Sequence, residues 1–581
     1  VDARSSKSQR RWVFREEEPS GWKLVADELD LHPIFARLLA QRGVTDPDGA
    51  RRFLNPTLGH MHDPFLMKGM DAAVREVLHA LDSGARIVIH GDYDVDGICS
   101  ASLLYSFLQM FGADVDYFIP RRAQEGYGLT TETVRRLADD GCDVLVTTDC
   151  GISEVEEIAL ARELDMRVVV VDHHSVPDEL PPANAILNPL QPGCAFPFDK
   201  LAAVGVTFNL AVALRKELRD RGVFRHVEEP DLRDMLDLVA LGTIADVVPL
   251  VDENRIFVRA GLDVLAQKKR AGVSALLDRI GRKDGRVHSE TVSYGLAPRL
   301  NAAGRVADAS ICVELLTTRE YGRALELAGE LDELNEERRR RERDIYERAL
   351  PLAEEQLERY DNVLLLAGEG WDRGVLGIVA SRLMETYNRP TIMAGIEDGE
   401  ARGSARSIEG FDILAALEKA SDHLLTFGGH TSAAGLRFDA DQLDALRARL
   451  DAAAGEMLDS GQIPPPRILV DASVSLGELE QKFTSDLLRM EPFGEGNPAP
   501  VLVAESVRAR RAKIVGDDHL RASFADGSGE LDGIAFSMGE FLDMLDAEVD
   551  VAFAPKFSRF RGRGRLEMHV KGLRPTEIDD T

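Results

Sequence analysis

Residues 85–108 read ARIVIHGDYDVDGICSASLLYSFL. Ile87, Val88 and Ile89 make a short, unbroken apolar run, the pattern of a strand buried on both faces. ICSASLLYSFLQMFG (98–112) then turns to helical spacing. Between the two, Asp92, Asp94 and Asp96 stand at every second position. Alternate residues of a straight strand lie ~6–7 Å apart, so the backbone must curl before these carboxylates can share a ligand, and Gly97 permits the curl. Repulsion among buried like charges is costly unless a cation compensates it. The stretch predicts a strand–loop–helix unit with a positive partner at the strand's carboxyl end.

The same alternation spreads outward. DAAVREVLHALDSG (71–84) has helical spacing and a terminal Gly84. DVDYFIP, CDVLVTTD and MRVVVVDHH read as further strands, with TTETVRRLADDG and SEVEEIALARELD as helices between them. Regular βαβ units predict a doubly wound parallel sheet. A charged, helix-favouring run covers 321–360, as one helix or two bent pieces. NVLLLAGEG opens a second α/β pattern, QIPPPR (462–467) fits a linker, and HLRASFAD, ELDGIAF, VDVAFAPKFS and RLEMHVKGL suggest a small β-barrel. The expected fold class is α/β: two α/β domains joined by a long helix, plus a C-terminal barrel. The expected boundaries are a lead-in with short helices at 1–70, domains at 71–320 and 361–460 around the helix at 321–360, and the barrel at 461–581.

With 581 residues the chain exceeds one ordinary core, and 44% hydrophobic content argues against extended disorder. No apolar stretch approaches the ~20 residues of a membrane span, and no apolar segment follows the basic N-terminal residues, so no secretory signal is expected. Five scattered cysteines, without a CxxC pair, suggest neither a disulfide framework nor a zinc site. A cytoplasmic location is expected. A net charge of −30 speaks against coating nucleic acid through the overall field, yet bases collect locally in RARRAK and KFSRFRGRGR.

Four acidic signals each fall at or just past the carboxyl end of a predicted strand: HGDYDVDG, TTDCGIS (Asp149), VVVVDHH (Asp172, His173, His174) and LVALGTIADVVPL (Asp246). Ligands of open parallel sheets bind beyond the strands' carboxyl ends. Taken singly, an aspartate there is more often a helix cap. Taken together, several carboxylates and an imidazole or two suit a pair of divalent cations, and an oxygen-rich set of this kind favours Mn²⁺ or Mg²⁺.

In order and spacing these motifs resemble the DHH phosphoesterase superfamily and, within it, the bacterial RecJ-type single-strand-specific exonucleases. The resemblance implies that Asp94, Asp96, Asp149, His173 and Asp246 are metal ligands, joined by Asp92 and with His90 nearby, and that Asp149 bridges two ions. It implies that His174 faces the scissile phosphate and that Asp172 supports the site. IPRRAQEGYGL (119–129) is similar to a nucleic-acid-contacting segment, with Arg121 and Tyr127 in the contacting places. APRLNAAGR (297–305) is similar to a family signature, placing Arg299, Asn301 and Arg305 near substrate. GEGWDRGVLGIVASRL, RGSARSIEGFDI and FGGHTSAAG resemble the DHH-associated domain; there Ser404 and Arg406 match holders of a 5′ phosphate, and Gly428, Gly429 and His430 a substrate loop. MEPFGEGNPAPVLV (490–503) and the barrel-like segments after it resemble the family's oligonucleotide-binding barrel. Asp372, where members commonly have His, would trim a substrate contact, and Ala405, where they have Gly, would tighten a loop.

The function this implies is two-metal hydrolysis of single-stranded DNA from its 5′ end, releasing mononucleotides in repair and recombination. The cleft between the α/β domains would exclude a duplex, and Phe557, Phe560 and their interleaved arginines would stack on the strand. The protein would be a monomer, with a helicase and a single-strand-binding protein as partners. Two alternatives stand beside it: an oligoribonuclease or cyclic-dinucleotide phosphodiesterase of the same superfamily, disfavoured by more than a hundred residues of additional tail, and an inactive replication scaffold, disfavoured by the intact motif acids.

Overall fold

The computed structural model describes residues 10–121, 128–281, 285–458, 463–560 and 563–576. The chain divides into two compact units, one of Pro47–Glu336 with Arg489–Pro498, the other of Val1–Asp46, Glu337–Leu488 and Ala499–Thr581.

The unit containing Pro47–Glu336 is built on five parallel strands: β1 (Ile87–Gly91), β2 (Val115–Phe118), β3 (Val144–Thr148), β4 (Arg167–Val171) and β5 (Ala185–Leu187). Their spatial order is β2-β1-β3-β4-β5. β-branched residues fill both faces. Ile87, Ile89, Val144, Val146, Val169 and Val171 pack on one side against α1 (Met70–Ser83), α2 (Val95–Gln109), α5 (Ala203–Asp220) and α6 (Leu236–Ala245). Val88, Leu145, Val168 and Val170 pack on the other against α3 (Thr131–Asp139) and α4 (Val155–Glu163). Each side chain so buried contributes about 1.5–3 kcal/mol relative to exposure, which is why these strands read as continuous apolar runs. The doubly wound sheet is thus as expected. The short strand β5 was not anticipated, because NAILN lies between prolines and offers only three apolar residues. This unit also holds α7 (Asp252–Gln267) and α8 (Ala297–Val306).

Helix α9 (Tyr321–Leu357) is a single element that continues through Pro351. The other unit has a mixed sheet of β6 (Leu364–Glu369), β7 (Thr391–Glu397), β8 (Glu400–Arg406), β9 (Thr426–Gly429) and β10 (Ala433–Asp439), ordered β9-β10-β8-β7-β6 with only β6 and β7 parallel. Helix α10 (Leu376–Tyr387) packs on it. Ala405 is a fully buried residue of β8, not a loop residue, so its methyl group fills core rather than tightening a loop.

Strands β11 (Leu502–Val515), β12 (His519–Ala525), β13 (Glu530–Ala535), β14 (Glu548–Phe560) and β15 (Arg563–Pro575) close into a barrel in the order β11-β12-β13-β15-β14, with β14 pairing back onto β11. This is the five-strand connectivity of an oligonucleotide-binding barrel. The lead-in is not detached: Arg11–Phe14 pairs in parallel with Arg467–Val470. Among the described residues no helix is long and apolar enough to cross a membrane, and the five cysteines are free thiols.

Candidate metal centre and phosphate pocket

Strand β1 has β2 on one side and β3 on the other, so successive connections leave the sheet in opposite directions there. That reversal opens a crevice at the carboxyl ends of β1 and β3. HGDYDVDG leaves β1, TTDCGIS leaves β3 and DHH leaves β4, whereas Asp246 caps the C-terminus of α6 and not a strand as expected, because a short, uniformly buried apolar run such as LDLVALGTIA reads alike as strand or helix. The fold thus gathers four stretches remote in sequence at one place.

Three groups of donors result, each with its ligand atoms within 4.8 Å of one another: Asp92, Asp94 and Asp149; Asp96, His173 and Asp246; and Asp149, His173 and His174. Asp149 and His173 belong to two groups each. His173 Nε2 lies 3.2 Å from Asp149 Oδ1, 3.6 Å from Asp246 Oδ2 and 4.0 Å from Asp96 Oδ2. Asp94 caps α2, its carboxylate accepting from the Asp96 and Gly97 amides at 2.9 and 3.1 Å. Asp96 accepts from the amides of Ala203 and Val204, at the start of α5, at 2.7 and 2.9 Å. A Cβ on Gly97 would stand 2.6 Å from the Asp92 backbone, so the curl anticipated there requires glycine. Asp149 itself adopts φ 64°, a left-handed conformation costing about 1–2 kcal/mol. Val247, next to Asp246, has φ 59°, an outlier for a β-branched residue. Backbone strain sits where two of the acids are aimed.

Electrostatics point the same way. Burial, and then the fields of Asp94, Asp96, Asp92 and Asp246, hold the Asp149 carboxyl well above the ordinary range. Burial followed by Asp246 and Asp94 does the same to Asp96, and burial with Asp94 pushes Asp246 up to about 7. Burial, with His174 beside it, pushes His173 down to about 4. A neutral imidazole keeps a lone pair for a metal. Its buried Nε2 meets no hydrogen-bond partner among the described residues, although carboxylate oxygens face it on three sides. This oxygen-rich donor set with imidazole nitrogen fits Mn²⁺ or Mg²⁺.

His174 Nδ1 lies 2.7 Å from Asp172 Oδ1. Burial opposes its charge, but that bond and the fields of Asp172, Asp246 and Asp92 outweigh burial and raise His174 to about 9. Asp172 also accepts from the backbone amides of His173, His174 and Ile152, tying the loop after β4 to the loop after β3. His90 is fully buried with Nδ1 3.5 Å from Cys150 Sγ, and is in none of the three groups.

Glu253, Asn254 and Arg255, at the start of α7, escaped the sequence reading. All three are buried. Asn254 Nδ2 donates to Lys200 O at 2.6 Å and Pro249 O at 3.0 Å, linking the approach to α5, whose amides hold Asp96, to the segment after Asp246. Arg255 lies over the Phe53 ring and donates to the carbonyls of Phe53, Arg489, Glu491 and Pro492. Leu250 N donates to Glu495 O at 2.7 Å, so residues 489–498 brace the same segment. Four consecutive polar residues, DENR (252–255), after DVVPLV were the available signal.

The structure places the other expected contact residues in varied roles. Arg121 pairs with Asp308 at 2.7 Å, and Tyr127 lies outside the described residues. Arg299 donates to Asp332 at 2.6 Å and to Gly295 O at 2.7 Å, linking α8 to α9. Asn301 and Arg305 are half-buried on α8, and Gly304 packs so tightly that a Cβ would stand 2.5 Å from Tyr93 O. In the other unit, Arg406 Nη1 donates to Ser404 Oγ at 3.0 Å. A Cβ on Gly377, in the first turn of α10, would meet Arg406 Nη2 at 2.7 Å and Ser404 Oγ at 3.0 Å. A guanidinium, a hydroxyl and a helix N-terminus therefore meet in one pocket, the elements of a phosphate site. Gly428, Gly429 and His430 are exposed at the end of β9. Asp372 accepts from Gly374 N at 2.8 Å and pairs with Arg341 of α9. Phe557 lines a cavity of about 770 Å³ with Arg511 and Arg565; Phe560 lies among side chains outside those described.

Three stretches of the chain match known domain families. The DHH family N-terminal domain matches residues 86–243, the DHHA1 domain 361–456 and the RecJ OB domain 470–572. The single-stranded-DNA-specific exonuclease RecJ of Escherichia coli is 37% identical over 563 residues, 94% of this chain and 96% of that protein. The Salmonella typhimurium protein of that name is 36% identical over 584 residues, covering 98% and 100%. The crystal structure of RecJ from Thermus thermophilus in complex with Mn²⁺ superposes with a TM-score of 0.83 at 30% identity, covering 98% of this chain and 80% of that one; the complex with Mg²⁺ gives 0.77 at 29%, covering 98% and 79%.

Proposed function

The chain belongs to the RecJ family of DHH phosphoesterases, and from that premise we propose that it is a divalent-metal-dependent exonuclease removing 5′-mononucleotides stepwise from the 5′ end of single-stranded DNA. The observation that carries the reading is Asp149, shared by two donor groups at the sheet's switch point and set in a strained backbone. Divalent cations held by Asp92, Asp94, Asp96, Asp149, His173 and Asp246 would activate water and neutralise charge on the scissile phosphate.

The chain's own residues do the rest. Asp149 and the acids around it supply the negative charge that holds the cations. His173 offers Nε2 in its neutral form. Asp172 orients His174 through Nδ1, leaving Nε2 of a protonated ring to donate to a phosphate oxygen as charge builds there. Ser404, Arg406 and the first turn of α10 take the terminal 5′ phosphate, and Arg121, Tyr127, Arg305 and His430 are further contacts on the strand. The barrel follows the strand beyond. Enzymes confined to single strands need duplex opened ahead of them, so a helicase and a single-strand-binding protein are the partners this substrate implies, in repair and recombination. The barrel and the full-length relatives favour this reading over an oligoribonuclease or cyclic-dinucleotide phosphodiesterase.

The phosphate pocket tests polarity. Arg406→Gln should raise KM for a 5′-phosphorylated oligonucleotide about 10- to 100-fold, the worth of a charge-assisted hydrogen bond, while a 5′-hydroxyl oligonucleotide changes little. Equal losses on both ends, measured by initial rates, would remove the pocket from the scheme.

A further inference from the structure

The barrel carries an aromatic and cationic face distinct from KFSRFRGRGR. On β12, Leu520 and Ala522 are buried in the barrel, so His519 and Arg521 face outward. On β13, buried Ala535 alternates with Ile534 and with Phe536 just past the strand end. On β15, buried Met568 and Val570 flank His569. Phe536 is 49% exposed, a large apolar ring left at the surface. It is braced edge-on by two imidazoles, with centroids 5.2 Å away at His519 and 5.6 Å away at His569, both planes at 72°. Ser537 N donates to His519 Nδ1 at 3.1 Å and fixes that ring. The ring is thus held in place with part of its surface open.

The neighbouring strand pair supplies charge. Lys513 on β11 stands directly opposite Arg521 on β12. Like charges directly opposite across strands destabilise the pair. The nearby bases Arg508, Arg510, Arg511 and Arg565 are each paired with Glu548, Glu530 or Asp532, whereas neither Lys513 nor Arg521 enters an ion pair among the described residues. An anion between them would relieve the repulsion. Adjacent strands lie about 4.8 Å apart and alternate residues about 6–7 Å apart, and Phe536 stands one pleat along from the level of Arg521 and Lys513, so its backbone is about 8 Å from Arg521 and about 12 Å from Lys513, within reach of their long side chains. An aromatic platform beside an unneutralised cation pair matches a base beside its phosphate, and the face of the second and third strands is where such barrels take oligonucleotides.

We propose that Phe536, flanked by His519 and His569 and served by Lys513 and Arg521, is a stacking site for a base of single-stranded DNA. The inference rests on the exonuclease reading above and deepens it by naming where the barrel grips the strand. The ring supplies sequence-tolerant affinity and the cations supply its salt dependence.

The test is binding of a fluorescent 30-nucleotide oligo-dT to the full chain in EDTA, where hydrolysis is silent, read by anisotropy. Phe536→Ala should weaken binding about 5- to 100-fold, and Phe536→Trp should restore it, a rescue that a merely structural lesion would not give. Lys513→Gln with Arg521→Gln should lower the slope of log K against log salt by roughly 1.4, two counterions at ~0.7 each. Oligo-dT carrying 5-iododeoxyuridine should crosslink on irradiation to peptides containing Phe536 or His569. Equal affinity of parent, Ala and Trp variants, or crosslinks confined to other peptides, would overturn the proposal while leaving the exonuclease reading intact if the parent still digests the strand in Mn²⁺. A parent chain that neither binds nor digests it would overturn both.

Discussion

Asp149→Ala is expected to lower hydrolysis of single-stranded DNA by at least about 10³-fold, equivalent to roughly 4 kcal/mol of transition-state stabilisation. Its carboxylate is common to two of the three donor groups, so its loss weakens both rather than one. No neighbour can move into its place, because backbone amides fix Asp94 at the start of α2 and Asp96 against the start of α5, each in its own donor group. The metal-free protein should lose no thermal stability, since the substitution removes a carboxyl that burial and four neighbouring acids hold in an unfavourable place. Initial rates, with melting curves recorded in EDTA, separate the two effects. Activity within tenfold of the parent would remove Asp149 from the centre of the scheme.

Metal removal should be equally severe and should act on stability in the opposite sense. In EDTA, hydrolysis falls to background. Returning Mn²⁺ at about 100 times its dissociation constant stabilises the folded chain by about 2.7 kcal/mol through mass action. For a unit of this size that is roughly 4 °C in Tm. The direction follows from the buried, mutually repelling acids Asp96, Asp149 and Asp246, whose ionised forms a cation offsets. Asp149→Ala should lose most of the Mn²⁺-induced shift while keeping its metal-free Tm. A shift unchanged in that variant would place the cation elsewhere.

The sheet was legible because RIVIH, CDVLVTTD and RVVVV are buried on both faces, and apolar continuity is a local property of sequence. β5 was not, since three residues between prolines carry too little periodicity. The motif acids could be singled out by type and strand context, but their grouping could not. That Asp92 joins Asp94 and Asp149, while Asp96 faces His173 and Asp246, depends on the curl at Gly97 and on the helix α5 docking against it. Arg299 shows the same limit: its pairing with Asp332, from a helix about thirty residues on, cannot be read from the signature in which it stands. Asn254 and Arg255 were invisible for a related reason. Polar residues at a helix start normally face water, and only tertiary packing turns these inward against carbonyls of distant segments.

One measurement bears most directly on the central claim that this constellation digests single strands from the 5′ end. Oligonucleotides labelled at the 5′ or the 3′ end, single-stranded or annealed into blunt duplex, are incubated with the full chain in Mn²⁺ and in EDTA, and the products are resolved by length. The account predicts immediate release of labelled mononucleotide from the 5′-labelled single strand and a progressively shortening ladder from the 3′-labelled one. It predicts neither in EDTA nor from the blunt duplex. Mononucleotide released first from the 3′ label, activity that survives EDTA, or equal attack on the duplex would contradict it.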